Sequence, residues 1–160
     1  MRCARHRAVL LSLALLTIGC DRVTKHLAVV RLHGLPRQSF LADTLRLEYA
    51  ENRGAFLSLG AHCPAPVRTL LFTLGASLIL AGVAIVGLRQ HLTVRVAVGL
   101  TLAWAGGVSN LVDRAARGSV VDFLNVGVGS LRTGIFNVAD VAILAGTVLA
   151  VWRKNGVAGE

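Results

Sequence analysis

At 160 residues the chain has room for one domain, and 54% hydrophobic content with a mean hydropathy of +0.66 excludes an ordinary soluble fold of that size. A formal charge of +9 and a pI near 11.2 would direct a soluble protein toward nucleic acid. Here the basic residues sit between or beside apolar runs and form no continuous basic and aromatic stripe, so no nucleic-acid partner is expected, and membrane lipids are.

Arg2, Arg5 and Arg7 precede an apolar run, residues 8–20, which is followed at once by Asp21, Arg22 and Lys25. One reading is a lipoprotein-type signal peptide ending at Thr17-Ile18-Gly19-Cys20, with Cys20 as the residue to be lipidated. The other continues a helix to about Val30, with Asp21, Thr24, Lys25 and Ala28 on one face at i, i+3, i+4 and i+7. The uncleaved span, about 8–30, is preferred, because three further spans follow.

A long loop follows, in which the alternation Leu45-Arg46-Leu47-Glu48-Tyr49 predicts a short half-buried strand and hence a small sheet. Pro64 and Pro66 break the chain before the uncharged run 69–88, which at about 1.5 Å per residue can cross a hydrocarbon core of roughly 30 Å. Residues 96–112 form a third apolar stretch, rich in Gly and Ala and ending in Asn110, Asp113 and Arg114. Residues 135–152 form a fourth, apolar except for Asn137, Asp140 and Thr147, and closed by Arg153 and Lys154. The expected fold is an all-α membrane protein, a single domain over 1–160 with four transmembrane helices and a small extracytoplasmic β-containing loop. Basic residues concentrate in the short segments at the termini and around 89–95, which favours cytoplasmic termini.

Cys3, Cys20 and Cys63 have no CxxC pairing, and His6, His26, His33, His62 and His91 are scattered, so neither a metal nor a cofactor is expected. Carboxylates in or beside apolar spans each need a partner or a task. Asp21 has Lys25 one turn away, and Asp113 has Arg114 and Arg117 nearby, so structural ion pairs account for both. Asp122 and Asp140 have no basic residue within a helical turn in sequence. If they face each other, burial and mutual repulsion would leave one shared proton, giving a general base and a general acid in one site. From spacing alone, acid-base work competes with proton or ion translocation and with plain structural polarity.

Five blocks resemble, in order, the motifs of the lipoprotein signal peptidase (signal peptidase II) family: Asp21-Arg22-Val23-Thr24-Lys25; Asn52-Arg53-Gly54-Ala55-Phe56; Gly106 through Arg114; Val120-Val121-Asp122-Phe123; and Phe136-Asn137-Val138-Ala139-Asp140. They extend over residues 21–140, nearly the whole chain. The second block departs from the family pattern, which has a further Ala before its Phe. The resemblance implies a four-span aspartic endopeptidase of the bacterial inner membrane that cuts diacylglyceryl-modified prolipoproteins just before the lipidated Cys. It implies Asp122 and Asp140 as the catalytic pair. Asn52, Gly54, Asn110, Arg114 and Asn137 would line the site, with Asp21, Lys25 and Asp113 in support, and a globomycin-type inhibitor is expected to bind. The rivals are a small transporter or proton-pathway protein and a non-enzymatic membrane assembly protein, in which Gly and Ala of the third span would serve close packing.

Overall fold

The computed structural model describes residues 2–54, 64, 67, 70–89 and 92–152. Helix α1, Arg2–Leu32, runs through Gly19, Cys20 and Asp21 without a break, as the continuous-helix reading requires. At about 1.5 Å per residue its 31 residues reach about 46 Å, longer than a hydrocarbon core. It is followed by strands β1, Gln38–Phe40, and β2, Leu45–Asn52. A π-helical turn, Leu70–Leu74, then leads into α2, Gly75–Arg89. Helix α3, Val94–Arg117, is capped at its start by Thr93, whose side chain accepts from the Val96 N–H. It stops at Gly118, whose φ of 72° lets its N–H return to the Arg114 carbonyl. Strands β3, Val120–Val128, and β4, Leu131–Arg132, precede α4, Val138–Val151.

The four strands form one antiparallel sheet in the order β1-β2-β3-β4. The strand expected around residues 45–49 is present, but the sheet is not confined to the first loop. Its other half comes from residues 120–132, where only a loop was expected. Val120, Val121 and Phe123 supply the β-branched and aromatic character that a pleated surface favours. The protein is thus mostly helical with a small antiparallel sheet, to which two connecting segments contribute. Two helix boundaries also differ from expectation. The third apolar stretch is helical for five residues beyond Val112, carrying Asp113 and Arg114 on the helix. The fourth starts only at Val138, because Phe136 is drawn into a β-bridge with Leu124 and Asn137 caps the helix. Ala55, Phe56, Cys63, Pro66, Arg153 and Lys154 lie outside the described residues.

Packing explains where the elements meet. Ala28 and Leu32 of α1 join Val121 and Phe123 in a buried cluster, with Leu47, Tyr49 and Leu124 against it, so the sheet rests on the last turns of α1. Helices α3 and α4 touch backbone to backbone. A Cβ on Gly106 would lie 2.4 Å from the Ala139 carbonyl oxygen, and one on Gly146 would lie 2.5 Å from that of Gly99. Small residues on both helices permit this close approach. Helix α2 leans on α3 through the Trp104 indole, which donates to the Leu80 carbonyl at 3.1 Å. Among the described helices, α3 is long and apolar enough to cross a membrane.

A side chain at Gly106 would meet the rigid Ala139 backbone at 2.4 Å and the Ile143 side chain at 3.0 Å. Gly106→Val should therefore destabilise the protein by about 1–3 kcal/mol or more, read as a lower thermal unfolding midpoint in detergent. Gly82→Ala, where nothing lies within 4 Å of the added carbon, should leave the midpoint unchanged or raise it.

Candidate active site

The polar residues gather at one end of the helices, where α1, the last turns of α3, the start of α4 and the first half of β3 converge. The foundation is Lys25, 3% exposed, whose ammonium has three donors and three partners. It approaches Asp21 Oδ2 at 2.7 Å and Asp113 Oδ2 at 2.8 Å, and donates to Asn110 Oδ1 at 2.7 Å. The expected Asp21–Lys25 pair is present. The expected pairing of Asp113 with Arg114 and Arg117 is not: Asp113 turns toward α1 and pairs with Lys25 and Arg22. Being on one helix with Asp113 leaves Arg114 free to point elsewhere. Asp21 is completed by Ser109 Oγ at 2.6 Å and by the Ala139 backbone N–H at 2.8 Å. Two carboxylates and two cations thus close a neutral buried cluster that ties α1 to both α3 and α4.

This cluster orients the next layer. Because Lys25 occupies the carbonyl side of the Asn110 amide, its NH2 faces outward and donates to Asp140 Oδ1 at 2.9 Å. Asn137 and Asp140 form a reciprocal cap at the start of α4. Asn137 Oδ1 accepts from the Asp140 N–H at 3.0 Å, and Asp140 Oδ2 accepts from the Asn137 N–H at 3.1 Å. Asn137 Nδ2 then donates to Asp122 Oδ1 at 2.6 Å and to Asn110 Oδ1 at 3.3 Å. The second Asp122 oxygen accepts from Asn52 Nδ2 at 3.0 Å, and Asn52 Oδ1 in turn accepts from the Gly54 N–H at 3.1 Å.

Asp122 and Asp140 therefore come from different elements, a strand and a helix N-terminus, and are joined through Asn137 and Asn110. Each carboxylate oxygen receives one hydrogen bond, which leaves lone pairs for a reacting group. Burial, followed by the neighbouring Asp140 carboxylate, pushes the Asp122 carboxyl up to about 6 from 3.8, against the lowering pull of the Asn52 and Asn137 amides. Arg114 spans the site from α3: Nη2 donates to the Gly54 carbonyl at 3.1 Å and Nη1 to the Asn110 carbonyl at 3.5 Å. Its Nε has no partner among the described residues.

All ten residues singled out in the sequence meet in this one network. Ser109 and Arg22 were missed as members, although both lie inside quoted blocks. Their signal was position: Arg22 adjoins Asp21, and Ser109 adjoins Asn110. The contribution of the Ala139 backbone N–H has no sequence signal, because any residue type carries it.

The sequence model of the family described as signal peptidase (SPase) II matches residues 13–154. The lipoprotein signal peptidase of Streptococcus pneumoniae is 31% identical over 147 residues, covering 91% of each chain. That of Sphingopyxis alaskensis is 37% identical over 135 residues, covering 83% of this chain and 77% of its own. That of Mycobacterium tuberculosis is 35% identical over 153 residues, covering 92% and 71%. Two solved structures described as bacterial membrane enzymes, at 1.9 and 2.3 Å resolution, share the fold with TM-scores of 0.78 and 0.75. Both are 22% identical and cover 89% of this chain, which in turn spans 89% and 84% of theirs. The chain belongs to the signal peptidase II family, bacterial membrane peptidases that remove signal peptides from prolipoproteins.

Proposed function

We propose that Asp122 and Asp140 are the catalytic pair of an aspartic endopeptidase that cleaves diacylglyceryl-modified prolipoproteins immediately before the lipidated Cys. The observation that carries this reading is the linkage of two carboxylates through Asn137 and Asn110, with Asp122 raised into the range where a pair holds a single proton. In the reaction the unprotonated carboxylate takes a proton from water as its oxygen attacks the scissile carbonyl carbon. The protonated partner gives its proton to the carbonyl oxygen, forming a tetrahedral diol. Collapse breaks the C–N bond: the proton taken from water passes to the leaving amine, and the diol's other proton returns to the pair. Arg114 and Asn52 hold the substrate backbone, and the free Arg114 Nε–H is a donor for a substrate carbonyl.

The scaffold in this reading is four membrane spans, drawn from α1, α2, α3 and α4, with both termini cytoplasmic and the sheet on the outer side. Clustering of the polar groups at one end of the bundle supports a site near the outer interface. Water enters there while the acyl chains of the substrate stay in lipid. A globomycin-type inhibitor would occupy the same site and compete with substrate.

Asp122→Asn and Asp140→Asn should each lower cleavage of a purified diacylglyceryl-modified prolipoprotein by about 100-fold or more, with folding intact by thermal unfolding. Full cleavage by either variant would sink the pair. The raised Asp122 value also has a stability consequence of fixed sign. Its neutral form suits the fold, so that stabilisation is complete at low pH and is lost as pH rises from 3.8 through about 6. The loss is up to about 3 kcal/mol, and Asp122→Asn lacks it. The unfolding midpoint of the variant should therefore gain on wild type between about pH 4 and about pH 7.5. In Asp140→Asn the Asp122 carboxyl, followed by infrared spectroscopy, should titrate below about 6 but still above 3.8, because burial is the larger cause and persists.

A further inference from the structure

The two carboxylates lie on either side of one hairpin in the chain. Asp122 is in β3, the chain turns at Gly129, whose φ is 57°, and the return arm runs through β4 to Phe136 and Asn137, with Asp140 just beyond. The arms pair Val128 with Leu131 and Gly127 with Arg132. After that the ladder becomes irregular. The Thr133 N–H donates to the Val126 carbonyl at 2.8 Å, and farther in the Phe136 N–H donates to the Leu124 carbonyl at 2.8 Å. Regular pairing would set Ile135 opposite Leu124, so the return arm carries one extra residue, a bulge that faces Asn125.

Asn125 is 6% exposed and touches neither carboxylate, yet both ends of its amide are engaged. Its Oδ1 accepts from Arg132 Nε at 2.5 Å, which turns Nδ2 toward the Thr133 carbonyl, 2.6 Å away. That carbonyl is the group the bulge releases from the ladder. Its partner in a regular pair, the Val126 N–H, goes to Thr133 Oγ1 at 3.0 Å instead. Arg132 is in turn held from outside the hairpin, donating from Nη1 to the Asp43 carbonyl at 2.7 Å. Its stem crosses β3 where Gly127 has no side chain: a Cβ there would lie 2.6 Å from Arg132 Cγ.

The register held this way reaches the site through Asn137. Helix α4 is anchored to α1 by Asp21 on the Ala139 N–H, but Asn137 precedes the helix, and its backbone, at φ −131° and ψ −179°, is an extended continuation of the return arm. A slip of one residue moves a strand by about 3.3 Å and turns its side chains to the other face. Either change would carry Asn137 Nδ2 away from Asp122 Oδ1, which it meets at 2.6 Å. We propose that Asn125 is a positioning residue of the peptidase: by taking the Thr133 carbonyl at the bulge it fixes the return arm so that Asn137 links Asp122 to Asn110 and Asp140. This role rests on Asp122 and Asp140 being the reacting pair.

The test is kinetic, on the full-length protein with a purified diacylglyceryl-modified prolipoprotein. Asn125→Leu, of similar size, removes both ends of the amide. Its kcat is expected to fall by about 10-fold or more, toward the roughly 100-fold that a misplacement of about 1 Å costs. KM should stay within about twofold of wild type, because Arg114 and Asn52 stand on other elements. Added to Asn137→Ala, the substitution should cost nothing beyond what Asn137→Ala costs alone, since both remove the same link. Wild-type kcat in Asn125→Leu would overturn the proposal. A loss that multiplies with that of Asn137→Ala would overturn it too, as the mark of a general folding defect. Should Asn125→Leu not fold, Arg132→Gln, which frees the amide without emptying its place, is read in the same cycle: a smaller loss of kcat, absent on Asn137→Ala, is expected, and either of the same two outcomes decides against. Asp140→Asn is assayed alongside. Normal cleavage by that variant would remove the carboxylate pair itself, whereas its inactivity beside a normal Asn125→Leu would remove the positioning role alone.

Discussion

Everything at the site depends on one buried ammonium. Lys25 has three hydrogens, and its partners sit on two helices: Asp21 on its own, Asp113 and Asn110 on α3. A cation 3% exposed is tolerable only when its charge is matched and its donors are filled. Here both conditions hold, with Arg22 balancing the second carboxylate. Such clusters contribute little net stability compared with a well-packed apolar core, yet losing one partner strands the others and costs about 3–5 kcal/mol. What the cluster provides is uniqueness of register: α1, α3 and α4 have one relative height at which all these groups are satisfied.

From that fixed register the rest follows by hydrogen-bond direction. An amide has a donor end and an acceptor end, and Lys25 takes the acceptor end of Asn110. The donor end is then committed to Asp140. Asn137 is committed in the same way: its carbonyl caps α4, so its NH2 must face Asp122. Neither carboxylate needs a direct basic partner, because each is held by neutral donors. That matters for the proposed chemistry. A cation beside either one would favour full ionisation of the pair, whereas amides orient the oxygens and leave burial and repulsion free to retain a proton.

Much of this was legible in the sequence, and the gaps have physical causes. The apolar runs and the charged residues that interrupt them mark the helices, because an ionisable group in lipid is too costly to be accidental. The i, i+4 spacing of Asp21 and Lys25 gives their pairing directly. Asp113 was assigned to Arg114 and Arg117 because sequence shows neighbours along the chain, whereas the cation that takes it comes from another helix 88 positions away in numbering, at Lys25. Residues 120–132 were read as loop because they lie between the third and fourth apolar stretches, and only the long-range pairing with β2 makes their β-branched run a strand. The Asn137-Val138-Ala139-Asp140 spacing carried a cap signal that explains why α4 starts at Val138 and not at residue 135.

The glycines and the sheet solve two halves of one placement problem. Asp140 is carried by α4 and its amide partner Asn110 by α3, so the 2.9 Å contact between them requires the two backbones to be nearly touching at Gly106 and Ala139. A bulkier residue there would separate the helices before any polar group moved. Asp122 comes from neither of these helices but from strand β3, which is held beside α1 by Val121 and Phe123 packing against Ala28 and Leu32. The site is therefore where a close-packed helix pair meets the sheet, α4 supplying Asp140 and β3 supplying Asp122.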